Sequence, residues 1–164
     1  MLINKNIEIN YSSELINAVE NVNDRQKLVI SNKVINRFGE DLTGMKFAIW
    51  GLSFKPGTDD MREAPSINLI HSLAKSGAII NAYDPQGMEN AKILLPNINY
   101  SDSIQSSCVD ADAIIIATEW NEFRALNFKV LQNQMKDKII FDLRNIYSKD
   151  ELIDLNFVYY GIGK

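Results

Sequence analysis

Residues 46–66 read KFAIWGLSFKPGTDDMREAPS, and their reading decides the fold. The apolar run Phe47-Ala48-Ile49-Trp50 suits a parallel strand covered on both faces, since neither side of such a strand turns to water. Gly51 lets the backbone leave that strand tightly. Lys55, Asp59, Asp60, Arg62 and Glu63 then crowd five charges into nine residues, while Pro56, Gly57 and Pro65 fix the path of the loop. Ser66 is expected to cap a helix over 67–75. Strand, charged loop and helix start make up the ligand edge of an open α/β sheet, where exposed amides and the positive helix end favour anions. The same charges can instead pair among themselves on a solvated loop.

Outward from this stretch, strands and helices alternate. Strands are expected at 78–83, 98–100, 113–118, 139–143 and 157–161, with helices over 87–94, 103–109, 128–135 and 149–155. Six strands with intervening helices give an α/β fold, a doubly wound, Rossmann-like and mostly parallel sheet. A long N-terminal helix precedes it. Ser12 or Ser13 is its cap, Leu15, Val19, Val22, Val29 or Ile30, Val34 and Phe38 are its apolar positions, and Gly39 ends it. About 25 residues of helix span roughly 37 Å, longer than a small domain needs for its own core. The surplus apolar stripe predicts a homodimer through this helix; the alternative is an ordinary core helix. The division is therefore 1–43 as an interdomain or dimerisation segment and 44–164 as the α/β domain.

Composition narrows the function. With 164 residues, 46% of them apolar, the chain can bury a sizeable core. A net charge of −4 and a pI near 5.0 supply no basic field for nucleic acid or an anionic membrane. No apolar run approaches membrane-spanning length, and the first ten residues lack the apolar segment of a secretory signal. Cys108, the single cysteine, excludes an intramolecular disulfide and points to a cytoplasmic protein and a structural thiol. His71 has no ligand-spaced neighbour, so no metal site is expected.

The chain lacks a dinucleotide fingerprint of its own. After the first strand it reads Gly51-Leu52-Ser53-Phe54-Lys55-Pro56-Gly57, without G-x-G-x-x-G and with a proline where an amide would donate. Asp84 ends the second strand, a position that in such folds often holds a ribose hydroxyl. Arg144, in Asp142-Leu143-Arg144-Asn145, stands at the end of a buried strand, where its planar fork suits phosphate or uracil; the alternative is a salt bridge to Asp142 or Asp150. Ala117-Thr118-Glu119-Trp120-Asn121-Glu122-Phe123 ends a third strand on the same edge.

The segment FKPGTDDMREAPS resembles the signature opening the C-terminal domain of the UDP-glucose 6-dehydrogenase family, the UDP-glucose/GDP-mannose dehydrogenases. Tyr83-Asp84-Pro85, Ala117-Thr118-Glu119-Trp120 and Asp142-Leu143-Arg144-Asn145 look like further family landmarks, and Val22-Asn23-Asp24-Arg25-Gln26 resembles part of the helix joining the family's two domains. The resemblance implies that Phe54 and Lys55 contact a UDP-sugar, that Arg144 contacts its UDP part, and that Arg62 reaches NAD held mainly by a second, N-terminal domain. It implies two-step oxidation of UDP-glucose to UDP-glucuronate by the whole enzyme, through a catalytic cysteine absent here. A C-terminal piece with no catalytic residue of its own is therefore expected. UDP-N-acetylhexosamine or GDP-mannose 6-dehydrogenases, and a non-catalytic α/β binding module, are the alternatives. Leu143 stands where this family more often has Gly.

Overall fold

A computed structural model describes residues 14–163. In chain order the elements are α1 (Glu14–Phe38), β1 (Lys46–Trp50), α2 (Pro65–Lys75), β2 (Ile79–Tyr83), α3 (Met88–Leu94), β3 (Asn99–Tyr100), α4 (Ile104–Ser107), β4 (Ala113–Ile116), α5 (Asn121–Arg124), α6 (Phe128–Leu131), β5 (Ile139–Asp142), α7 (Lys149–Ile153) and β6 (Val158–Gly161). The six strands form one sheet in the order β3-β2-β1-β4-β5-β6, and every pairing is parallel. The expected doubly wound sheet and its six strands are thus present.

Period-two alternation in the central strands feeds two cores. Phe47, Ile49, Ala113, Ile115, Ile139 and Phe141 face one side with Leu69, Ile70 and Leu73 of α2. Ala48, Trp50, Ile114, Ile116 and Ile140 face the other with Phe123, Phe128, Leu131, Leu152 and Phe157. Burial on both faces is why these strands read as apolar runs. The last turns of α1 join the first core through Ile30, Val34 and Phe38, whose ring meets Phe47 edge-on. Lys33 donates to the Gly161 carbonyl and ties α1 to the end of β6. Leu15 and Val19 carry side chains outside the described set, whereas Val22 is 48% exposed.

Ser66 does not cap α2. The helix begins at Pro65, whose ring presets the helical φ, with Ala64 as N-cap; there is no side-chain cap bond because alanine has no acceptor to offer. Ser66 is buried and donates its hydroxyl to the Leu52 carbonyl, pinning the loop after β1. Ser103 does cap α4, through a capping box with Ser106. The helix expected over 128–135 stops at Leu131, and α5, a single turn after Trp120, lies in a segment read only as a strand end.

Candidate functional site

The strand order reverses between β1 and β4, and ligand crevices of open α/β sheets form at that switch point. Register aligns the strand ends there. Trp50 pairs with Tyr83 and Ile116, and Ile116 pairs with Asp142, so the segments that follow leave the sheet at one level. Gly51, at φ +84°, makes the turn out of β1; a Cβ there would lie 2.5 Å from the Thr118 side chain.

Asp84 holds the loop in place. It is fully buried, and its Oδ2 accepts the amides of Leu52 (2.6 Å) and Ser53 (3.0 Å) and the indole N–H of Trp120 (3.1 Å). Its Oδ1 accepts the Ser53 hydroxyl (3.2 Å) and the amides of Gln86 (3.0 Å) and Gly87 (2.6 Å). Six protein donors fill both oxygens, so Asp84 has no lone pair to offer a ribose, contrary to its usual place in dinucleotide-binding sheets. The Leu52 and Ser53 amides, which in such a site would face phosphate, point at this carboxylate instead. This turn does not fit a dinucleotide.

Beyond Ser53 the loop closes on itself. Phe54 N–H donates to the Asp60 carbonyl (2.8 Å), Met61 is buried beneath, and Gly57 takes φ +77°. Phe54 is 45% exposed despite its apolar ring. Lys55 is exposed and, among the described residues, makes no hydrogen bond or ion pair. Arg62 is exposed too but engaged: Nε and Nη2 grip the two Asp60 oxygens at 2.9 and 2.8 Å. These hydrogen bonds hold the Asp60 carboxyl down at about 2. Arg62, Asp60, Asn90, Ile93 and Leu94 line a cavity of about 520 Å³ against α3.

Arg144 sits on the other wall. Its Nε donates to the Ala117 carbonyl (3.0 Å) and lies 3.0 Å from Glu119 Oε2, while Nη2 stands 3.5 Å from the Phe54 carbonyl. The salt bridge considered with Asp142 or Asp150 is made with Glu119 instead. Asp142 is fully buried and accepts the backbone amides of Arg144 (2.9 Å) and Tyr147 (3.2 Å) and the Tyr159 hydroxyl (3.1 Å). Burial, reinforced by Asp142, pushes the Tyr159 hydroxyl well above the usual tyrosine range. Leu143 needs no glycine: the left-handed residue of this turn is Asn145, at φ +51°.

The structure therefore brings Phe54 and Arg144 together, with Lys55 beside them in sequence, and leaves Arg62 paired with Asp60 at a separate cavity. Cys108 is buried between α4 and the sheet, and burial pushes its thiol up to about 12, far from nucleophilic. No metal-ligand cluster and no helix long and apolar enough to cross a membrane occurs among the described residues. Sequence reasoning missed Asp84 as the loop's organiser and Glu119 as the partner of Arg144. The run Ala117–Trp120 was the available signal, as a polar segment capping the most apolar strand.

The UDP binding domain model of the UDP-glucose/GDP-mannose dehydrogenase family matches residues 48–149. A UDP-glucose 6-dehydrogenase of Rhizobium meliloti (strain 1021) is 45% identical over 92% of the chain and 34% of its own length. One from Rickettsia bellii (strain RML369-C) is 39% identical over 99% of the chain and 38% of its length. A UDP-glucose dehydrogenase from the archaeon Pyrobaculum islandicum superposes with a TM-score of 0.81 at 26% identity, over 98% of the chain and 34% of that structure. A UDP-D-ManNAc dehydrogenase from Pyrococcus horikoshii does so at 0.74 and 26% identity, over 93% and 34%. The chain spans about a third of the length of the relatives it matches.

Proposed function

The chain belongs to the UDP-glucose/GDP-mannose dehydrogenase family, as its UDP binding domain, and from that premise we propose that Phe54, Lys55 and Arg144 hold the UDP end of a nucleotide-sugar. The observation that carries this reading is the approach of the Arg144 guanidinium to the Phe54 carbonyl, at 3.5 Å. It brings a delocalised cation to the backbone of a residue with an exposed aromatic ring, and Lys55 is the next residue in the chain. The Arg144 fork suits bidentate contact with a phosphate or a uracil edge, Lys55 adds a point charge, and the Phe54 ring offers a face to a planar base.

UDP-glucose is the substrate we assign, with the whole enzyme an NAD-dependent 6-dehydrogenase of a reducing cytoplasm. NAD would supply hydride acceptance. We assign Arg62 the contact with it from this chain, and the Leu52 and Ser53 amides, occupied by Asp84, take no part. We also assign α1 a contact with a second copy, supported by the exposure of Val22. A charged residue at Val22 is then expected to shift a dimer toward monomer in light scattering.

Binding by this chain alone is expected to be near millimolar, about −4 kcal/mol. Lys55→Ala or Arg144→Ala removes a charge-assisted contact and weakens UDP roughly 10- to 100-fold. NMR titration with UDP reads both the affinity and its location. Signals at Phe54, Lys55 and Arg144 that stay fixed at saturating UDP would overturn the reading, and a preference for GDP would move it to the GDP-mannose branch.

A further inference from the structure

Four consecutive residues, Ala117, Thr118, Glu119 and Trp120, connect β4 to α5, and their contacts alternate. Ala117 accepts from Arg144 Nε through its carbonyl, and Glu119 sets its carboxylate beside the same nitrogen. Thr118 donates its hydroxyl to the Ser53 carbonyl (2.6 Å), and Trp120 donates its indole N–H to Asp84 Oδ2, which also takes the Leu52 and Ser53 amides. Residues 117 and 119 thus serve the Arg144 wall, and residues 118 and 120 serve the wall that carries Phe54 and Lys55. The segment bends at Thr118, with the Trp120 amide on the Thr118 carbonyl (3.1 Å), and so one short stretch reaches both walls.

Ala117, Thr118 and Trp120 are buried, which keeps them from touching a ligand in the crevice. Glu119 Oε2 is also buried and receives no hydrogen bond, because the single Nε hydrogen of Arg144 goes to the Ala117 carbonyl. Its pairing with Arg144 therefore acts through charge and leaves Nη2 of the guanidinium to reach the Phe54 carbonyl.

We propose that Thr118, Glu119 and Trp120 are positioning residues that set the spacing between the Lys55 wall and the Arg144 wall; for its ligand this rests on the UDP reading above. Thr118→Val keeps the side-chain volume and removes the hydroxyl, leaving the buried Ser53 carbonyl unpaired. Glu119→Gln keeps the shape and removes the charge.

Hydrogen exchange followed by NMR in the ligand-free 164-residue chain reads each wall separately. Thr118→Val should speed exchange at the Ser53 and Phe54 amides about tenfold and leave the Arg144 Nε signal in place. Glu119→Gln should displace the Arg144 Nε signal and leave Ser53 and Phe54 protected. Each variant should weaken UDP about five- to tenfold. Should Thr118→Val fail to fold, Trp120→Phe tests the same wall with the same expected pattern. Exchange that rises equally on both walls in both variants, or on neither, overturns the proposal. If the unsubstituted chain does not bind UDP, the functional reading falls while the exchange pattern still decides the positioning roles.

Discussion

The two walls of the crevice use the same device at different range. Each is organised by a fully buried aspartate at the end of a strand, Asp84 after β2 and Asp142 in β5. Asp142 works locally: two of its donors are amides of its own turn, Arg144 and Tyr147, and the third is the Tyr159 hydroxyl from the next strand. Asp84 works at a distance. It takes Leu52 and Ser53 from the loop of the neighbouring strand and Trp120 from beyond β4, besides the nearby Gln86 and Gly87 amides. The difference follows from length. A turn of a few residues can organise itself around one carboxylate, whereas the fourteen residues between β1 and α2 need a scaffold from outside.

Removing the two acids should break this comparison most visibly. Asp84→Ala leaves four backbone amides, an indole and a hydroxyl without their acceptor and should cost about 4 kcal/mol, against about 2 kcal/mol for Asp142→Ala. Urea unfolding measures both, and equal losses would mean that the count of donors does not set the effect.

How much of this was legible in the sequence divides along the same line. The strands were readable because apolar runs of four to six residues between turn signals are local patterns, and Ser103 was readable as a cap because its partner Ser106 is three residues away. Arg144 could be placed at a strand end for the same reason. Asp84 could not be read, since four of its six donor groups come from positions 31 to 36 residues away and nothing in Tyr83-Asp84-Pro85 announces them. Ser66 was misread because a serine before an apolar helix looks like a cap; its actual partner, the Leu52 carbonyl, lies fourteen residues back. Glu119 became the partner of Arg144 through the alignment of β4 with β5, a fact of register.

Two substitutions on the Arg144 wall sharpen the comparison at smaller scale. Arg144→Lys keeps the charge but loses the Nε contact with Ala117 and the planar fork, so it should recover little of the UDP affinity, staying about tenfold below the unsubstituted chain by NMR titration. Recovery to full affinity would reduce the arginine to a point charge. Tyr159→Phe removes one of the three donors on Asp142 and should cost about 1 kcal/mol in the same urea experiment, with the Arg144 backbone still held by its own amide.

The smallest effect is expected where a charged pair touches neither buried aspartate. Arg62 grips Asp60 with two nitrogens, yet both stand in water, and an exposed pair contributes little to stability whatever its geometry. Its signature should therefore appear in titration. The hydrogen bonds from Arg62 hold the Asp60 carboxyl at about 2 in place of 3.8. Because the folded value is the lower one, whatever stability the pair gives is fully present above 3.8 and is lost as the pH falls through about 2. Arg62→Ala should return Asp60 toward 3.8, followed by carboxyl ¹³C NMR, while the urea midpoint at pH 7 and the UDP affinity stay nearly unchanged. A loss of UDP affinity matching that of Arg144→Ala would show that diffuse positive charge draws UDP to this edge, and the distinction between the anchored arginine and the exposed one would fall with it.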